Sequence, residues 1–334
     1  MITLKDNIKD IDFGIWNELI SNSSNSTFFQ TQQCYRFYKS LSFMKPFVFS
    51  VFEDGITKGV IVGYIQQEKN PLKQLMTRRA IVPGGALLAD DISDEALTKL
   101  LLKCRNELKK NAIYIEFRNF NDYSAHKNVF EKCGFKYNEH LNFHIDTSSE
   151  DVIQENLGKS RKRDIKTSLR DGAEFVENPS LDDVRSFYEI LRQLYTTKVK
   201  TPLFPYEFFE KLFTSGLGIY RLVRYNGEII GGTLCVGLKG KALYEWFACG
   251  KDGEFKNIFP STMATFAGME YGARNGYPLF DMMGAGKPDE GYGVREFKAK
   301  FGGKLVEHGR FVCVCRPLQY EIGKLGVKIL KRKK

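Results

Sequence analysis

The chain repeats one pattern of apolar and polar positions at an offset of 172 residues, in 51–59 and 223–231. In each copy an apolar run is interrupted by a two-residue polar turn, Asp54-Gly55 in the first and Asn226-Gly227 in the second. These dipeptides readily adopt the left-handed backbone conformations that close a tight β-hairpin. Both segments are therefore predicted to form hairpins.

A helix and then a short apolar strand follow each predicted hairpin. In the first half the pattern predicts a helix over 93–110, with Ser93 as its N-cap, and a strand over 112–117. In the second half it predicts a helix over 260–274 and a strand over 277–283. The matching order of these elements predicts an internal duplication.

Helical patterns fill the region between the two halves. The predicted helices cover 151–171, 180–196 and 206–214, and Ile165 and Leu169 mark the apolar side of the first. Because each half mixes helices and strands, we expect an α/β (α+β) fold rather than a sandwich or a bundle. The three expected parts are a first domain, a second domain and a basic C-terminal tail, over 1–150, 151–316 and 317–334.

Composition and charge narrow the choice of protein class. The 334 residues are 43% hydrophobic and 27% charged, which is typical of a globular protein and not of a disordered one. Lys and Arg exceed Asp and Glu by ten, which allows a polyanionic partner without requiring one. The excess is concentrated in 159–170 and in 324–334. The first segment could bind a phosphate-rich ligand such as tRNA or a nucleotide, and the second could rest on RNA or on an anionic membrane surface. Each could equally be a solvated surface.

The arrangement of cysteines and histidines indicates a cytoplasmic protein without a metal centre. No run of about 18 apolar residues and no signal peptide is present, and the seven cysteines are scattered, as in proteins with reduced thiols. His140 and His144 lie on a segment that looks extended, which separates them by about 13 Å, too far for one metal ion. We expect neither a metal nor a cofactor.

Three segments are candidates for chemistry. The aromatic run 244–250 leads into the loop before the second predicted helix, a common place for sites in α/β folds, although a core strand explains it equally. Lys298 follows the glycines of 284–286, which lack the Gly-Lys-Ser/Thr of a phosphate-binding loop; it is either a positioned cation or an ordinary amphipathic lysine. Asp90 is either a base in a ligand-facing loop or part of a turn.

Taken in order, these segments resemble the Fem family of peptidoglycan-bridge aminoacyltransferases, which is built from two tandem GNAT-like acyltransferase domains. The resemblance covers about residues 25–334 and agrees with the duplication. Its strongest part is C-terminal and consists of Tyr244-x-Trp246-Phe247-Ala248, Asp281-x-x-Gly284, and Tyr292-Gly293 to Phe297-Lys298-x-x-Phe301-Gly302-Gly303. Weaker matches in the right order are Gln30-Thr31-Gln32-Gln33, the Gly84-Gly85 to Asp90 loop and the helix at 161–172.

The resemblance implies transfer of an amino acid from aminoacyl-tRNA to an amine of a UDP-linked or lipid-linked peptidoglycan precursor. Lys298 would stabilise the charge that develops on the ester carbonyl, and Asp90 matches an aspartate considered as the base. The implied substrate contacts are Arg36, Arg163, Tyr244, Trp246, Tyr292 and Phe297. The family also implies a cytoplasmic location, with peripheral contact of the basic tail at the inner face of the membrane.

The acyl donor remains a separate question at the sequence level. Acetyl-CoA-dependent GNAT enzymes hold the pyrophosphate on a glycine-rich loop at a helix N-terminus. After the strand that ends at Cys249 this chain instead has Asp252-Gly253-Glu254-Phe255-Lys256-Asn257, which argues against CoA. Two alternatives stay open: an N-acyltransferase that uses a CoA or carrier donor on a cell-envelope sugar or lipid, and a non-enzymatic relative that binds a precursor or RNA.

Overall fold

The computed structural model describes residues 1–67, 77–289, 291 and 293–332, with side chains described up to residue 325 in the last helix. The chain divides into two compact units. The first consists of Met1–His140 and Glu307–Lys334, and the second of Leu141–Val306.

The first unit is one β-sheet with helices packed on it. Its strands are β1 (Ile2–Lys5), β2 (Met44–Glu53), β3 (Ile56–Gln66), β4 (Arg79–Gly84), β5 (Leu87–Leu88), β6 (Tyr114–Asn119), β7 (Lys136–Asn138) and β15 (Arg310–Val314). Its helices are α1 (Phe13–Asn22), α2 (Gln32–Ser40), α3 (Asp94–Leu108), α4 (Lys127–Lys132) and α11 (Pro317–Arg332). The strand order is β1-β2-β3-β4-β6-β15-β7, with β5 beside β3.

The second unit has the same plan. Its strands are β8 (Leu141–Asp146), β9 (Glu174–Val176), β10 (Ile219–Tyr225), β11 (Glu228–Leu238), β12 (Ala242–Gly250), β13 (Leu279–Gly284) and β14 (Lys304–Glu307). Its helices are α5 (Glu150–Asn156), α6 (Lys159–Arg170), α7 (Leu181–Leu194), α8 (Tyr206–Thr214), α9 (Pro260–Arg274) and α10 (Gly293–Ala299). The strand order is β14-β8-β13-β12-β11-β10-β9.

The two predicted hairpins share the same β-bulge and the same turn conformation. Strand pair β2–β3 has a β-bulge at Val51/Phe52, and strand pair β10–β11 has one at Val223/Arg224, again 172 residues later. The turn residues Asp54 and Asn226 have φ angles of 49° and 50°, and a glycine with positive φ follows each. Both turns therefore have the conformation that Asp-Gly and Asn-Gly favour. The predicted duplication and the mixed α/β class are confirmed.

A crossover helix joins the parallel strand pair of each sheet, as parallel pairing requires. Helix α3 connects β4 to β6, and α9 connects β12 to β13. The small residues of α9 let it lie close to its sheet, because a side chain at Gly268 would approach the Phe280 ring to 3.0 Å. These small residues therefore serve the packing of the helix on its sheet.

The unit boundaries differ from the expected division at residue 150. Strand β15 comes from the end of the chain, yet it pairs with β6 and β7 of the first sheet. Strand β8 belongs by sequence to the first half, yet it pairs with β13 of the second sheet. Each sheet thus receives one strand from the other half of the chain.

Three local expectations are corrected. The helix predicted over 151–171 is broken between α5 and α6, where the amide of Gly158 donates to the carbonyl of Lys300 at 3.1 Å. Leu169, expected on the apolar side of that helix, is 42% exposed. The segment 317–334, expected as a basic tail, is helical over Pro317–Arg332. Within the described residues, no helix is long and apolar enough to cross a lipid bilayer.

Candidate active site

The parallel strands β12 and β13 separate part of the way along the second sheet. They pair over three positions, from Ala242–Leu279 to Tyr244–Asp281. Beyond that point β12 continues to Gly250 beside β11, while β13 shifts its register with β8. The corresponding pair of the first sheet, β4 and β6, stays in register over six positions. The two units therefore differ at this place.

A β-bulge on β12 lies directly at the separation. Glu245 pairs with Cys235 and Phe247 with Leu234, so Trp246 is the extra residue. The half-buried Trp246 ring packs edge-on against Phe208 with centroids 4.9 Å apart. Bulges commonly re-aim side chains beside functional sites. Here the bulge directs Glu245 into the unit, where it is buried.

The ammonium of Lys298 binds the backbone of β13 just beyond the point where β13 stops pairing with β12. This residue lies on α10 and is only 8% exposed. Its Nζ donates to the carbonyl of Met282, to that of Gly284 at 2.9 Å and, at a longer 3.4 Å, to that of Met283. These carbonyls belong to the part of β13 that no longer pairs with β12. The lysine therefore satisfies backbone acceptors that the divergence releases.

Two buried carboxylates set the electrostatics around this lysine. Burial lowers the pKa of Lys298, while Glu245 and Asp281 act in the opposite direction. Burial raises the pKa of Glu245, and Lys298 together with hydrogen bonds from threonines opposes that rise. The Glu245 carboxylate accepts from Thr265 Oγ1 at 2.8 Å and from Thr233 Oγ1 at 3.3 Å. The cluster is thus a desolvated set of charges held by hydrogen bonds.

Asp281 holds the turn of β13 that presents the carbonyls. It is fully buried, and its carboxylate accepts from the amide of Met283 at 2.6 Å and from Asn142 Nδ2 at 3.2 Å. His144 Nε2 lies 3.5 Å from the same carboxylate. Met283 has a φ of 56°, which is uncommon for a residue other than glycine. The local hydrogen bond offsets the cost of this conformation.

A buried arginine supports the other side of α10. The Arg161 guanidinium lies 4.4 Å from the Phe297 ring centroid and 5.1 Å from that of Phe301. Its Nη1 also donates to Thr262 Oγ1 at 2.9 Å. Burial lowers the pKa of Arg161, and Asp164 acts against this shift. The arginine fixes the two aromatic residues that flank Lys298 in sequence.

Two further predicted contacts lie in or near this cluster, and a third lies away from it. Tyr244, the last β12 residue paired with β13, is 2% exposed. The Phe297 ring is half-buried against Arg161. Arg163 lies on the exposed side of α6, with its guanidinium 3.3 Å from Asp164. Tyr292 lies outside the described residues.

Arg36 and Asp90 belong to the first unit. Arg36 is exposed on α2, and its guanidinium lies 5.2 Å from the Phe13 ring centroid. Asp90 is an exposed turn residue that accepts from the amide and hydroxyl of Ser24 at 3.1 and 2.8 Å. It also lines a cavity of about 480 Å³ together with Lys58. Both roles stay predictions.

Glu245 and Arg161 are the residues of this cluster that sequence reasoning missed. Glu245 is a single acid inside an aromatic strand, and buried acids are rare without a partner. Arg161 shares a helix face with Ile165 and Ser168, all three buried, at a spacing of four and seven residues. Both patterns were visible in the sequence.

The helix N-termini that follow the central strands are already occupied by carboxylates of the protein. At the start of α9, the amide of Ser261 donates to Asp252 at 3.1 Å, and the amide of Phe259 donates to Ser168 Oγ at 3.0 Å. At the start of α3, the amide of Ser93 donates to Glu53 at 3.2 Å. A helix N-terminus ordinarily attracts an external anion such as a phosphate. In this protein a carboxylate of the chain itself, Asp252 or Glu53, already accepts from an amide at each helix start.

The arrangement can hold and orient a cation against an oxygen that gains negative charge. An ammonium has three donors, and two of those of Lys298 are taken by short contacts to carbonyls. The third has the longer contact to Met283, which a reacting oxygen could replace. Among the described residues, no group of His, Cys, Asp and Glu is arranged to hold a metal ion.

Comparison with known proteins places this geometry in a known fold. Residues 159–298 match the sequence profile described as an acetyltransferase (GNAT) domain. The crystal structure of FemX superposes with a TM-score of 0.72 at 14% identity, covering 95% of this chain and 99% of that one. A tandem GNAT protein from the clavulanic acid biosynthesis pathway gives 0.59 at 11% identity, covering 94% and 99%. L-PGS from Bacillus licheniformis gives 0.56 at 13% identity, covering 96% and 97%.

No curated protein sequence matches the chain. The structural similarities extend over nearly the whole chain in each of the three cases. The protein therefore has the Fem-like fold of two tandem GNAT domains, as the sequence predicted.

Proposed function

We propose that this protein is an aminoacyltransferase that moves an amino acid from aminoacyl-tRNA to an amine of a UDP-linked or lipid-linked peptidoglycan precursor. The observation that carries the proposal is the buried Lys298 ammonium on the part of β13 that no longer pairs with β12. The FemX fold supports the choice of an aminoacyl donor. Such a donor would place the reaction in the cytoplasm.

The reaction that follows from this site is the conversion of an ester to an amide. The unprotonated acceptor amine attacks the ester carbonyl carbon, and the carbonyl oxygen gains negative charge. Lys298 donates to that oxygen in a desolvated setting, where a hydrogen bond to developing charge is strongest. The carbon–oxygen bond to the tRNA ribose then breaks, the amide bond remains, and the proton of the amine passes to the ribose oxygen. Asp90 is the proposed base.

The other predicted residues are proposed as substrate contacts. Phe297, which precedes Lys298 in the chain, and Trp246, at the bulge of β12, are partly exposed aromatic residues, and Tyr244 is the last β12 residue that pairs with β13. Arg36 and Arg163 are exposed cations suited to phosphate groups. Tyr292 keeps the role that the resemblance implies.

The carboxylates at the helix N-termini argue against a CoA donor. A pyrophosphate at the start of α9 would have to displace Asp252 from the amide of Ser261. At the start of α3 it would have to displace Glu53 from Ser93. Both exchanges bring like charges together, which is unfavourable. These contacts support a donor that does not need a pyrophosphate site.

The alternative is an N-acyltransferase that takes a CoA or carrier donor and acts on a cell-envelope sugar or lipid. The GNAT profile over 159–298 favours it. Thermal denaturation separates the two, since a ligand that binds the folded state raises the melting temperature. We expect tRNA and a UDP-linked pentapeptide precursor to raise it and acetyl-CoA to leave it unchanged. A rise with acetyl-CoA alone would reject the aminoacyl-tRNA proposal.

The direct test is transfer of radiolabelled amino acid from a mixture of charged tRNAs to UDP-linked and lipid-linked precursors. We expect label to appear in one precursor as an amide that is stable to mild alkali, which hydrolyses the ester. Labelled amino acid released only as the free acid would contradict the proposal.

A further inference from the structure

Helix α6 has a basic exposed side and a buried side. Arg161, Asp164, Ile165 and Ser168 are buried. Five exposed basic residues run along the other side, which we call the basic strip: Lys159, Lys162, Arg163, Lys166 and Arg170. At 1.5 Å per residue, the strip is about 16 Å long.

Most of the positive charge of the strip is not neutralised by the protein. Arg163 lies 3.3 Å from Asp164, and Arg170 lies 2.8 Å from Asp171. Among the described residues, Lys159, Lys162 and Lys166 have no carboxylate within ion-pair distance. The helix has no exposed acid between 159 and 170.

Helix stability does not account for this placement of charge. The first turn of α6 contains Lys159, Arg161 and Lys162, no acidic residue, and no side-chain cap at Gly158. Cations at a helix N-terminus face the positive end of the helix dipole, which is unfavourable. Sequences that depart from such local rules commonly do so for function.

The buried side of the same helix is attached to the active-site segment. Arg161 stacks on Phe297 and Phe301, which flank Lys298 in sequence. Gly158, immediately before α6, donates to the carbonyl of Lys300 and has no room for a side chain, because a Cβ would lie 2.6 Å from that oxygen. The strip therefore has a fixed position relative to the lysine.

We infer that the basic strip is the docking surface for the phosphate backbone of the RNA donor, on the helix whose buried side is attached to the Lys298 segment. The inference rests on the proposed function and names the surface that the donor would use. A linear row of separate cations matches successive phosphates of a nucleic-acid strand. A single phosphate would instead call for donors that converge on one point. A membrane-binding face would interleave apolar side chains, and Leu169 is the exposed one here.

The test measures binding of deacylated total tRNA by fluorescence anisotropy over a series of KCl concentrations. Lys162→Glu/Lys166→Glu reverses two unpaired charges on the strip. The matched control, Lys9→Glu/Lys132→Glu, makes the same change at two exposed lysines of the first unit. Lys162→Gln/Lys166→Gln removes the charge without reversing it, and circular dichroism verifies that all variants fold.

We expect the reversal variant to bind tRNA at least about tenfold more weakly at low salt, with the slope of log K against log salt reduced by about two. The glutamine variant should fall between it and the wild type, and the control should bind as the wild type does. Equal binding by the reversal and control variants would overturn the inference. The reversal variant is also tested for binding to vesicles of phosphatidylglycerol and phosphatidylcholine. If it loses vesicle binding and retains tRNA binding, the strip is a membrane surface and the inference is overturned.

Transfer kinetics separate failure of this inference from failure of the proposed function. With the surface as proposed, the reversal variant has a raised KM for aminoacyl-tRNA and an unchanged kcat. Normal KM in that variant, with transfer intact, would reject the surface and keep the function. If the wild type binds tRNA through the strip but transfers no amino acid, the surface is kept and the proposed function is rejected. Absence of tRNA binding by the wild type would reject the surface.

Discussion

Lys298 is the residue on which the proposed chemistry depends most. Lys298→Met keeps the approximate length of the side chain and removes the ammonium. We expect kcat for transfer to fall by about 10²–10³, the usual effect of removing one donor to a developing oxyanion. We also expect lower stability, because Glu245 and Asp281 lose their buried cation. Steady-state kinetics and urea denaturation measure the two effects.

The matched control for this prediction is Lys300→Met, an exposed lysine two residues further along. It should change neither quantity appreciably. A Lys298→Arg variant, which keeps the charge with a different shape, should retain more stability than Lys298→Met. Near-normal transfer by Lys298→Met would remove the lysine from the mechanism.

The pH dependence of transfer tests the coupling between Lys298 and Glu245. A lysine that stabilises an oxyanion must be protonated, so activity is present below its pKa and is lost as the pH rises through it. Burial lowers the pKa of Lys298, and Glu245 opposes that shift. Glu245→Gln removes the opposing charge and can keep the hydrogen bond from Thr265. We expect the alkaline limb of the kcat profile to move to lower pH.

Glu270→Gln is the control for this prediction, because Glu270 is a glutamate of α9 that pairs with Arg274 at 2.9 Å. Its alkaline limb should coincide with that of the wild type. An unmoved limb in Glu245→Gln would mean that protonation of Lys298 does not limit the rate.

At the residue scale, the sequence predicted part of the cluster. The motif around Lys298 singles out this lysine through its resemblance to the Fem family. The contacts that define its environment were not predictable in the same way. Asn142 reaches Asp281 across 139 positions of the chain, and Thr265 reaches Glu245 across 20. Such pairs depend on strand register and helix packing, which a single sequence does not specify.

Among the elements, the N-terminus of α9 gives a stability prediction. Asp252 accepts from the amide of Ser261 and stands in for a cap that Phe259 does not provide. Asp252→Ala should reduce the free energy of unfolding by about 1 kcal/mol, as loss of a capping carboxylate does. Glu254→Ala, an exposed acid of the same loop, should change it by less than about 0.5 kcal/mol. Chemical denaturation of both variants measures the difference, and equal effects would argue against a capping role.

Turns and helix starts are predictable from the sequence where neighbouring residues determine the backbone conformation. Asp54-Gly55 and Asn226-Gly227 specify their turns, and the capping box of Ser180 with Asp183 is present at the start of α7. The divergence of β12 and β13 was not predictable, because it results from the pairing of β13 with β8. The break at Gly158 was missed for a similar reason, since its partner is the carbonyl of Lys300.

For the whole molecule, the exchange of strands between the halves of the chain could not be predicted from the sequence. The segment at His140–His144 was recognised as extended, but its partner strand was not identified. Strand β15 follows the second half in sequence, yet it pairs with β6 of the first sheet. Both strands have an ordinary alternating pattern, which specifies that a strand forms and not which sheet it joins.

The exchange predicts that the first unit needs the end of the chain. In a chain that stops after His308, β6 loses its antiparallel partner and the core loses Phe311, which is fully buried and stacks on Phe130 at 4.1 Å. The lost pairing and apolar burial are comparable with the whole stability of a domain, about 5–15 kcal/mol. We therefore expect the first unit to lose its cooperative unfolding transition, while the second keeps its own.

The two tryptophans allow the units to be followed separately, because Trp16 lies in the first and Trp246 in the second. Trp246→Phe leaves Trp16 as the reporter, and Trp16→Phe leaves Trp246. In the chain that stops after His308, urea titration should show no transition for Trp16 and a retained one for Trp246. A chain that stops after Arg316 keeps β15 and should retain both. A native Trp16 transition in the shorter chain would show that the first sheet forms without the exchanged strand, and that the two halves fold as independent copies.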